Sequence, residues 1–401
     1  MIIIFNLISA ITLTFILLCG SYLWMIALAS IKPLPKVKEA PNRNRFAIAI
    51  PAHNEESVIG DTIATLNEID YPRELFDIFV VADYCTDRTA QTARAEGAIC
   101  YERTQGVQGE KGLALRYLFE RIFESNIQYD AIIVFDADTQ VDSKFLKVMN
   151  ARLTEGIQVI QGRRMIINPG DGWISALGWV LMTIDNRFNN QGRTILHLSA
   201  KHMGESICLR IDVVKKMGWG NGLTEDFDFR LKLLLNNIRI TYEPQAISYG
   251  QSPTTYKDVQ LQRLRYAKGV TEASRRFRIK ILMEGIRLKD WGRLDGAIGS
   301  TLPSYSTITM ISILMFIISL IPPMGISPLI KSFWGVAVMA WCIYPIIGLA
   351  LEKAPGWAYL SIFSGPMYIG WRTWIYFRAR LAAPGSIQWN RTPHKNLKAN
   401  K

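Results

Sequence analysis

The sequence predicts an α/β domain with a mainly parallel sheet, flanked on both sides by transmembrane helices. Short apolar runs alternate with helical patterns between residues 45 and 270, which is typical of βαβ units. Long apolar stretches lie before and after this region, and only 20% of the 401 residues are charged while 49% are hydrophobic. This composition excludes a disordered chain, and five scattered cysteines exclude a disulfide scaffold.

The first 31 residues contain no charged side chain, which predicts an N-terminal transmembrane helix over 1–31. A signal peptide is the alternative, because Ala27-Leu28-Ala29 resembles a small-residue cleavage site. The stretch has no basic start, however, and is about twice as long as an ordinary signal-peptide core. The positive-inside rule places the next domain in the cytoplasm, because a single acid, Glu39, accompanies the basic residues Lys32, Lys36, Lys38, Arg43 and Arg45.

Within the α/β region, apolar runs predict strands and amphipathic spacing predicts helices. The expected strands are 46–50, 77–82, 98–101 and 131–135, and the expected helices are 56–67, 89–96 and 111–124. Ligands of such sheets bind where the parallel strands end. Carboxylates collect at these ends, and they repel one another unless a cation lies among them. The polar residues at or just after the strand ends are His53, Glu55, Asp83, Asp136 and Asp138.

Asp136-Ala-Asp138 follows the fourth expected strand. Residues two apart leaving a strand project to the same side, so both carboxylates can face one divalent cation. A turn or a helix cap is the competing interpretation of this motif. Asp83 could accept hydrogen bonds from a nucleobase or ribose, and Lys111 could balance the charge of a diphosphate.

Two further motifs lie in the second half of the region. Thr224-Glu-Asp226 opens a helical pattern, so Asp226 is either a charge complement at a helix start or a general base. In Gln262-x-x-Arg265-Tyr266, the guanidinium suits a phosphate and the ring suits a sugar or a base. A basic helix beside the membrane is the alternative for this segment, and 271–296 predicts an amphipathic helix at the lipid surface.

The C-terminal apolar region, 297–377, predicts two or three membrane spans. The candidates are 298–321, 333–351 and 356–377, the last weakened by Arg372 and several glycines. The basic tail, 378–401, holds six Lys and Arg residues and no acid, which favours the cytoplasmic side. Three spans would instead place this tail outside the cell, so the number of spans and the positive-inside rule disagree about the tail.

Taken together, the motifs resemble the membrane-integrated family 2 glycosyltransferases, related to cellulose, chitin and hyaluronan synthases and to lipid glucosyltransferases. The resemblance covers about residues 45–270 and extends loosely to the flanking spans. It implies a GT-A-type fold with a mainly parallel, Rossmann-like sheet. Its marks are Pro51-Ala-His-Asn-Glu55, Val81-Ala-Asp83, Asp136-Ala-Asp138, Thr224-Glu-Asp226 and Gln262-x-x-Arg265-Tyr266.

The resemblance also implies roles for matching positions. On the donor side, a nucleotide sugar, expected to be UDP-linked, would contact Pro51, Glu55, Asp83, Lys111 and Asp136. Asp136 and Asp138 would hold Mg²⁺ or Mn²⁺, with Asp138 the more direct ligand.

On the acceptor side, the resemblance makes Asp226 the catalytic base that activates the acceptor hydroxyl, with inversion at the anomeric carbon. The acceptor and the leaving diphosphate would contact Glu205, Gln262, Arg265 and Tyr266. The family usually has Trp where this chain has Tyr266, so the stacking face is smaller. Trp389-Asn-Arg-Thr-Pro393 is a further family motif, for which no physical role is evident.

Three functions fit these features. The first is a multi-pass cell-membrane enzyme, with its catalytic domain facing the cytoplasm, that adds sugars to a growing cell-surface polysaccharide. The alternative is non-processive transfer of one sugar to a membrane lipid, which Tyr266 and the small number of spans favour. The third is a membrane transporter or receptor. Such a protein is expected to carry charged residues inside its spans, and only Arg372 meets this expectation. The net charge of +12 predicts membrane contact and no nucleic-acid partner, because basic residues flank the spans.

Overall fold

The computed structural model describes residues 2–108, 110–322 and 325–381. Most of the predicted basic tail, from 382 onward, lies outside the described residues, and so does the motif Trp389–Pro393. The strands are β1 (Phe46–Ala52), β2 (Phe76–Asp83), β3 (Ile99–Arg103), β4 (Ala131–Val134), β5 (Gln140–Val141), β6 (Val159–Ile166), β7 (Ile207–Arg210) and β8 (Thr241–Gly250).

These strands form one mixed sheet in the order β3-β2-β1-β4-β7-β6-β8-β5. The pairs β1·β2, β1·β4, β2·β3 and β6·β8 are parallel, whereas β7 is antiparallel to both of its neighbours. The expected α/β fold with a mostly parallel sheet is therefore confirmed. The four predicted strands are β1 to β4, with ends that differ from the prediction by one or two residues, and β5 to β8 complete the sheet.

The helices of the sheet domain are α2 (Ile59–Asn67), α3 (Thr89–Ala95), α4 (Lys111–Glu124), α5 (Phe145–Thr154), α6 (Trp173–Ile184), α7 (Gly192–Ile195), α8 (Ile211–Met217) and α9 (Glu225–Leu235). A π-helical segment, Asp185–Gln191, joins α6 to α7. Short 3₁₀ turns occupy Arg73–Leu75 and Pro169–Asp171.

Both faces of the sheet are covered by helices. Successive side chains of a strand point to opposite faces, so β1 contributes to two cores. Ile48 packs with α2 and α5 on one face, and Ala49 packs with α4 and α9 on the other. Because β1 and β4 are buried on both faces, their sequences are continuous apolar runs, which is why the sequence revealed them.

The remaining helices are α10 (Tyr256–Leu288), α11 (Trp291–Gly299), α12 (Tyr305–Ser319), α13 (Pro328–Leu351), α14 (Gly356–Ser361) and α15 (Gly365–Leu381), with a 3₁₀ turn at Ile362–Ser364. They follow α1 (Ile2–Ala29), which packs against α12 and α13. Among the described residues, α1 and α13 are the two helices long and apolar enough to cross a membrane.

Two predicted boundaries differ from the structure. The candidate span 298–321 contains only the 15-residue α12, about 22 Å long, which is shorter than a bilayer core of about 30 Å. The break near residue 300 arises because α11 ends there and Ser304 caps α12. The boundary at 270/271 is also absent, because α10 runs through it as one helix of 33 residues.

A buried ionic cluster attaches α1 to the sheet domain. Asp295 of α11 lies 3.1 Å from the guanidinium of Arg193 and 3.8 Å from that of Arg230 on α9, and its side chain is only 3% exposed. The Tyr22 hydroxyl of α1 donates a hydrogen bond to the same carboxylate. One carboxylate therefore links the N-terminal helix to the helix that begins at Glu225.

Candidate active site

A single cavity of about 1230 Å³ opens at the carboxyl ends of β1, β2 and β4. Every site residue predicted from the sequence lines this cavity except Glu205. Parallel strands bring their carboxyl ends to one edge, which explains how residues from 51 to 138 meet. The helices α9 and α10 bring in the second group, from 226 to 266.

On one side of the cavity, Asp83 is held in place by Arg103. The Arg103 guanidinium lies 2.6 Å from the Asp83 carboxylate, and both side chains are almost fully buried. The Asp83 carbonyl also lies 2.6 Å from Nδ1 of His53. Pro51, Glu55 and Asp83 share this wall, so the predicted nucleotide-binding residues lie together.

In the middle of the cavity, Lys111 forms an ion pair with Asp136 and donates a hydrogen bond to the Gly204 carbonyl at 2.8 Å. Lys111 is the first residue of α4, so the helix start directs its side chain toward the end of β4. The nearby carboxylates of Asp136 and Glu225 raise the pKa of Lys111 despite its burial, so it carries a positive charge at neutral pH.

Glu205 differs from its predicted position at the acceptor site. Its side chain is fully buried, paired with Arg164, and it accepts hydrogen bonds from Thr139 and from the Asp136 amide. Such burial excludes contact with an acceptor, because no face of the carboxylate is open. Glu205 instead holds the turn that carries Asp136 and Asp138. Arg164 had no signal in the sequence, since it stands in a strand that was not predicted.

The two carboxylates of the Asp136-Ala-Asp138 motif both line the cavity, and Asp138 accepts a hydrogen bond from the Gln251 amide at 3.1 Å. Within the described ranges, no group of three or more His, Cys, Asp or Glu side chains could enclose a metal ion. Oxygen donors suit Mg²⁺ or Mn²⁺, and one or two carboxylates suffice when substrate phosphates supply other ligands. The residues therefore fit a divalent cation shared with a bound diphosphate.

Asp226 and its neighbour Glu225 lie opposite this motif, in the first turn of α9. One Asp226 oxygen accepts a hydrogen bond from the Phe227 amide at 2.7 Å, which fixes the carboxylate. Burial is the main cause that raises the pKa of Asp226. Burial raises the pKa of Glu225 to about 7. The positive charge of Lys111 lowers this pKa, and the negative charge of Asp226 raises it further. The pair can therefore accept a proton near neutral pH.

Arg265 and Tyr266 come from α10, which crosses above α9. Arg265 interacts electrostatically with Glu225, Asp226 and Asp136, so its charge faces the carboxylates. Tyr266 lines the cavity and is 45% exposed, so its ring is open to a bound molecule. Gln262, one turn before Tyr266, lines the same wall.

His202 is a cavity residue to which sequence reasoning gave no role. Its Nδ1 accepts a hydrogen bond from the Gly204 amide at 3.0 Å, while its buried Nε2 has no hydrogen-bond partner among the described residues. Burial and the positive charges of Lys111 and Arg230 lower the pKa of His202 to about 3, so the ring is neutral and Nε2 carries the proton. A lone histidine without metal-ligand spacing offers no sequence signal.

Comparisons with known proteins identify the family of this chain. The profile described as "Glycosyltransferase like family 2" matches residues 41–269. The probable glycosyltransferase YdaM of Bacillus subtilis is 27% identical over 248 residues, covering 60% of this chain and 56% of YdaM. A beta-monoglucosyldiacylglycerol synthase of Nostoc sp. is 29% identical over 234 residues, covering 56% of this chain and 48% of that protein. The chain thus spans about half the length of the curated relatives it matches.

A solved structure shows the same fold. The mannosyltransferase PcManGT from Pyrobaculum calidifontis, in complex with GDP-Man and Mn²⁺, aligns with a TM-score of 0.55 at 14% identity. The alignment covers 85% of this chain and 99% of PcManGT, which confirms the GT-A-type fold. The family match extends over more than half of the chain and includes every sequence-predicted site residue that lines the cavity. The chain therefore belongs to family 2 of the glycosyltransferases.

Proposed function

We propose that the chain transfers one sugar from a nucleotide sugar to a hydroxyl group of a membrane lipid, with inversion at the anomeric carbon. The donor is expected to be a UDP-sugar. One observation carries the proposal: the carboxylate-lined cavity continues without interruption to the apolar helices. Leu23 of α1, Leu302 before α12 and Pro345 of α13 line the same space as Asp226. A water-soluble donor and a lipid acceptor can therefore meet in one cavity.

The donor end of the cavity supports a nucleotide diphosphate. Asp83 is fixed by Arg103, and its carboxylate oxygens would accept hydrogen bonds from a base or ribose. Lys111 and Arg265 carry positive charge next to Asp136, where a diphosphate would lie. A divalent cation bound at Asp136 and Asp138 would further neutralise the leaving diphosphate. The GDP-Man and Mn²⁺ in the PcManGT structure agree with this expectation.

The chemistry follows from the position of Asp226. The acceptor oxygen forms a bond to the anomeric carbon while the bond from that carbon to the diphosphate oxygen breaks. The acceptor proton passes to the Asp226 carboxylate, whose raised pKa makes it a stronger base than an ordinary aspartate. Lys111 and Arg265 stabilise the negative charge that develops on the nucleoside diphosphate.

Polysaccharide elongation, the function first expected from the sequence, is the second candidate. Four tyrosines line the cavity, at positions 22, 266, 305 and 344, and such rings stack on sugars. The lipid acceptor is favoured because, among the described residues, only α1 and α13 have the length and apolarity of spans. In either case we infer a membrane location, with the sheet domain on the cytoplasmic side as the basic residues after α1 predict.

Size analysis of the product separates the two candidates. Membranes containing the full chain are incubated with a panel of radiolabelled nucleotide sugars, and products are separated into lipid-soluble and polymeric fractions. We expect one sugar per lipid and no label in polymer. Labelled chains of many sugars would refute the lipid proposal, and the absence of any transfer from every donor would refute both.

A further inference from the structure

Two arginines lie together at the membrane end of the cavity, separate from the catalytic carboxylates. Arg263 on α10 and Arg372 on α15 both line the cavity, and they lie close enough for their charges to repel. The helices α10 and α15 pack directly against each other. Arg372 stands in a helix that contains no acid, so no carboxylate of its own helix can pair with it.

Within the part of the chain that the structure describes, neither guanidinium forms an ion pair with a carboxylate, and Arg263 hydrogen-bonds to the side chain of Tyr368. Arg372 donates one hydrogen bond, to the Ser306 hydroxyl at 3.4 Å, and the buried Nε of Arg263 has no hydrogen-bond partner among the described residues. Asp185 acts on Arg372 electrostatically, but it is held by Lys201 at 2.5 Å. Two like charges in a poorly solvated site favour an anion between them.

The donor diphosphate does not fit this position. Arg263 and Arg265 are two residues apart on one helix, so their side chains leave the axis about 200° apart. Arg265 faces Glu225, Asp226 and Asp136, whereas Arg263 faces Tyr368 and Arg372. Tyr266 interacts electrostatically both with Asp226 and with Arg263. The arginine pair therefore faces away from the catalytic carboxylates, with Tyr266 near both groups.

We propose that Arg263 and Arg372 bind the phosphate of an anionic lipid acceptor, a phospholipid whose headgroup hydroxyl reaches Asp226 past Tyr266. This inference rests on the proposed function, since it names the class of lipid. Guanidinium groups bind phosphate oxygens through paired hydrogen bonds, which suits two arginines with free donors. Apolar side chains that line the same cavity, among them Leu23 of α1, Leu181 of α6 and Ile375 of α15, would receive the acyl chains, and the phosphate itself takes no part in bond formation.

The test compares dioleoylphosphatidylglycerol with dioleoylglycerol, two lipids with the same acyl chains. The full chain is purified in a nonionic detergent, and acceptor KM, donor Kd and lipid binding by native mass spectrometry are measured. We expect a lower KM for the phospholipid. Arg263→Gln and Arg372→Gln should each raise that KM about ten- to hundredfold, weaken phospholipid binding and leave the donor Kd unchanged. Arg372→Lys should restore part of the affinity, because it keeps the charge.

Matched controls are Arg278→Gln on α10 and Arg378→Gln on α15, two exposed arginines outside the cavity, which should keep the wild-type KM. Inorganic phosphate separates a lipid site from a general phosphate site, because it should compete only weakly with the phospholipid, and strong competition would contradict a lipid site.

Equal KM values for the two lipids would overturn the inference. If the phospholipid binds the wild type and not Arg372→Gln while only polymer is made, the arginine site stands and the proposed function fails. If the phospholipid binds both proteins equally, the inference fails whatever the activity.

Discussion

Asp226→Asn should abolish most of the transfer activity without disturbing the fold or donor binding. In the structure the Asp226 carboxylate accepts a hydrogen bond from the Phe227 amide at 2.7 Å. The Asn side chain still has an oxygen that can accept this bond, so the start of α9 should keep its local structure. What disappears is the group that takes the acceptor proton. A positioned general base contributes about 10²- to 10⁴-fold, so we expect kcat to fall by that factor. At about 1.36 kcal/mol per tenfold, the barrier rises by about 2.7–5.4 kcal/mol.

The assay follows release of the nucleoside diphosphate and sugar incorporation, with donor Kd measured by titration. Donor affinity should stay within about threefold of wild type, because Lys111 keeps its ion pair with Asp136. The matched control is Glu225→Gln, the adjacent buried acid, for which we expect a loss below about tenfold at its own optimal pH. Asp226→Asn activity above a tenth of wild type, or a larger loss for Glu225→Gln, would refute the assignment of the base.

Three further outcomes are expected. Transfer should decline as the pH falls toward the pKa of Asp226, which burial raises above that of an ordinary aspartate, because the base must be deprotonated. Glu225→Gln should move this decline to lower pH, because it removes a neighbouring acid whose pKa is about 7, and an unmoved pH profile would contradict the coupling. Chelation of divalent cations with EDTA should stop transfer, and full activity in EDTA would exclude a role for the metal. Asp138→Asn should raise the Mn²⁺ concentration that gives the half-maximal rate at least about tenfold. Asp295→Asn should lower the free energy of unfolding by about 3–5 kcal/mol, seen as a lower Tm, because Arg193 loses its buried partner. The control is Asp212→Asn, which removes an exposed ion pair and should change the free energy of unfolding by less than about 1 kcal/mol. Equal losses for the two variants would contradict the role of burial.

The central strands and the carboxylate rim were predictable from the sequence for a physical reason. A strand buried on both faces must be apolar at every position, so β1 and β4 are recognisable without any partner. The polar residues that follow such strands necessarily meet at one edge. Asp83, Asp136 and Asp138 therefore could be assigned to one site before any contact was known.

The position of Glu205 could not be predicted in this way. Its neighbours Gly204 and Ser206 belong to a loop before an antiparallel strand, whose place in the sheet depends on pairing with β4 and β6. Only that pairing brings Glu205 beneath Asp136 and next to Arg164. The same holds for His202, which acquires a cavity position because α9 and the loop after α7 pack together.

Sequence alone determined the class of the protein: the alternation of strands and helices, the order of the motifs and the charge-free N-terminal stretch each follow from local chemistry. The tertiary structure decided which side chains act together. Arg263 and Arg265 illustrate the difference, because they are two residues apart in a basic segment and look equivalent in the sequence. The helical twist and the packing of α10 between α9 and α15 direct one toward Asp226 and the other toward Arg372.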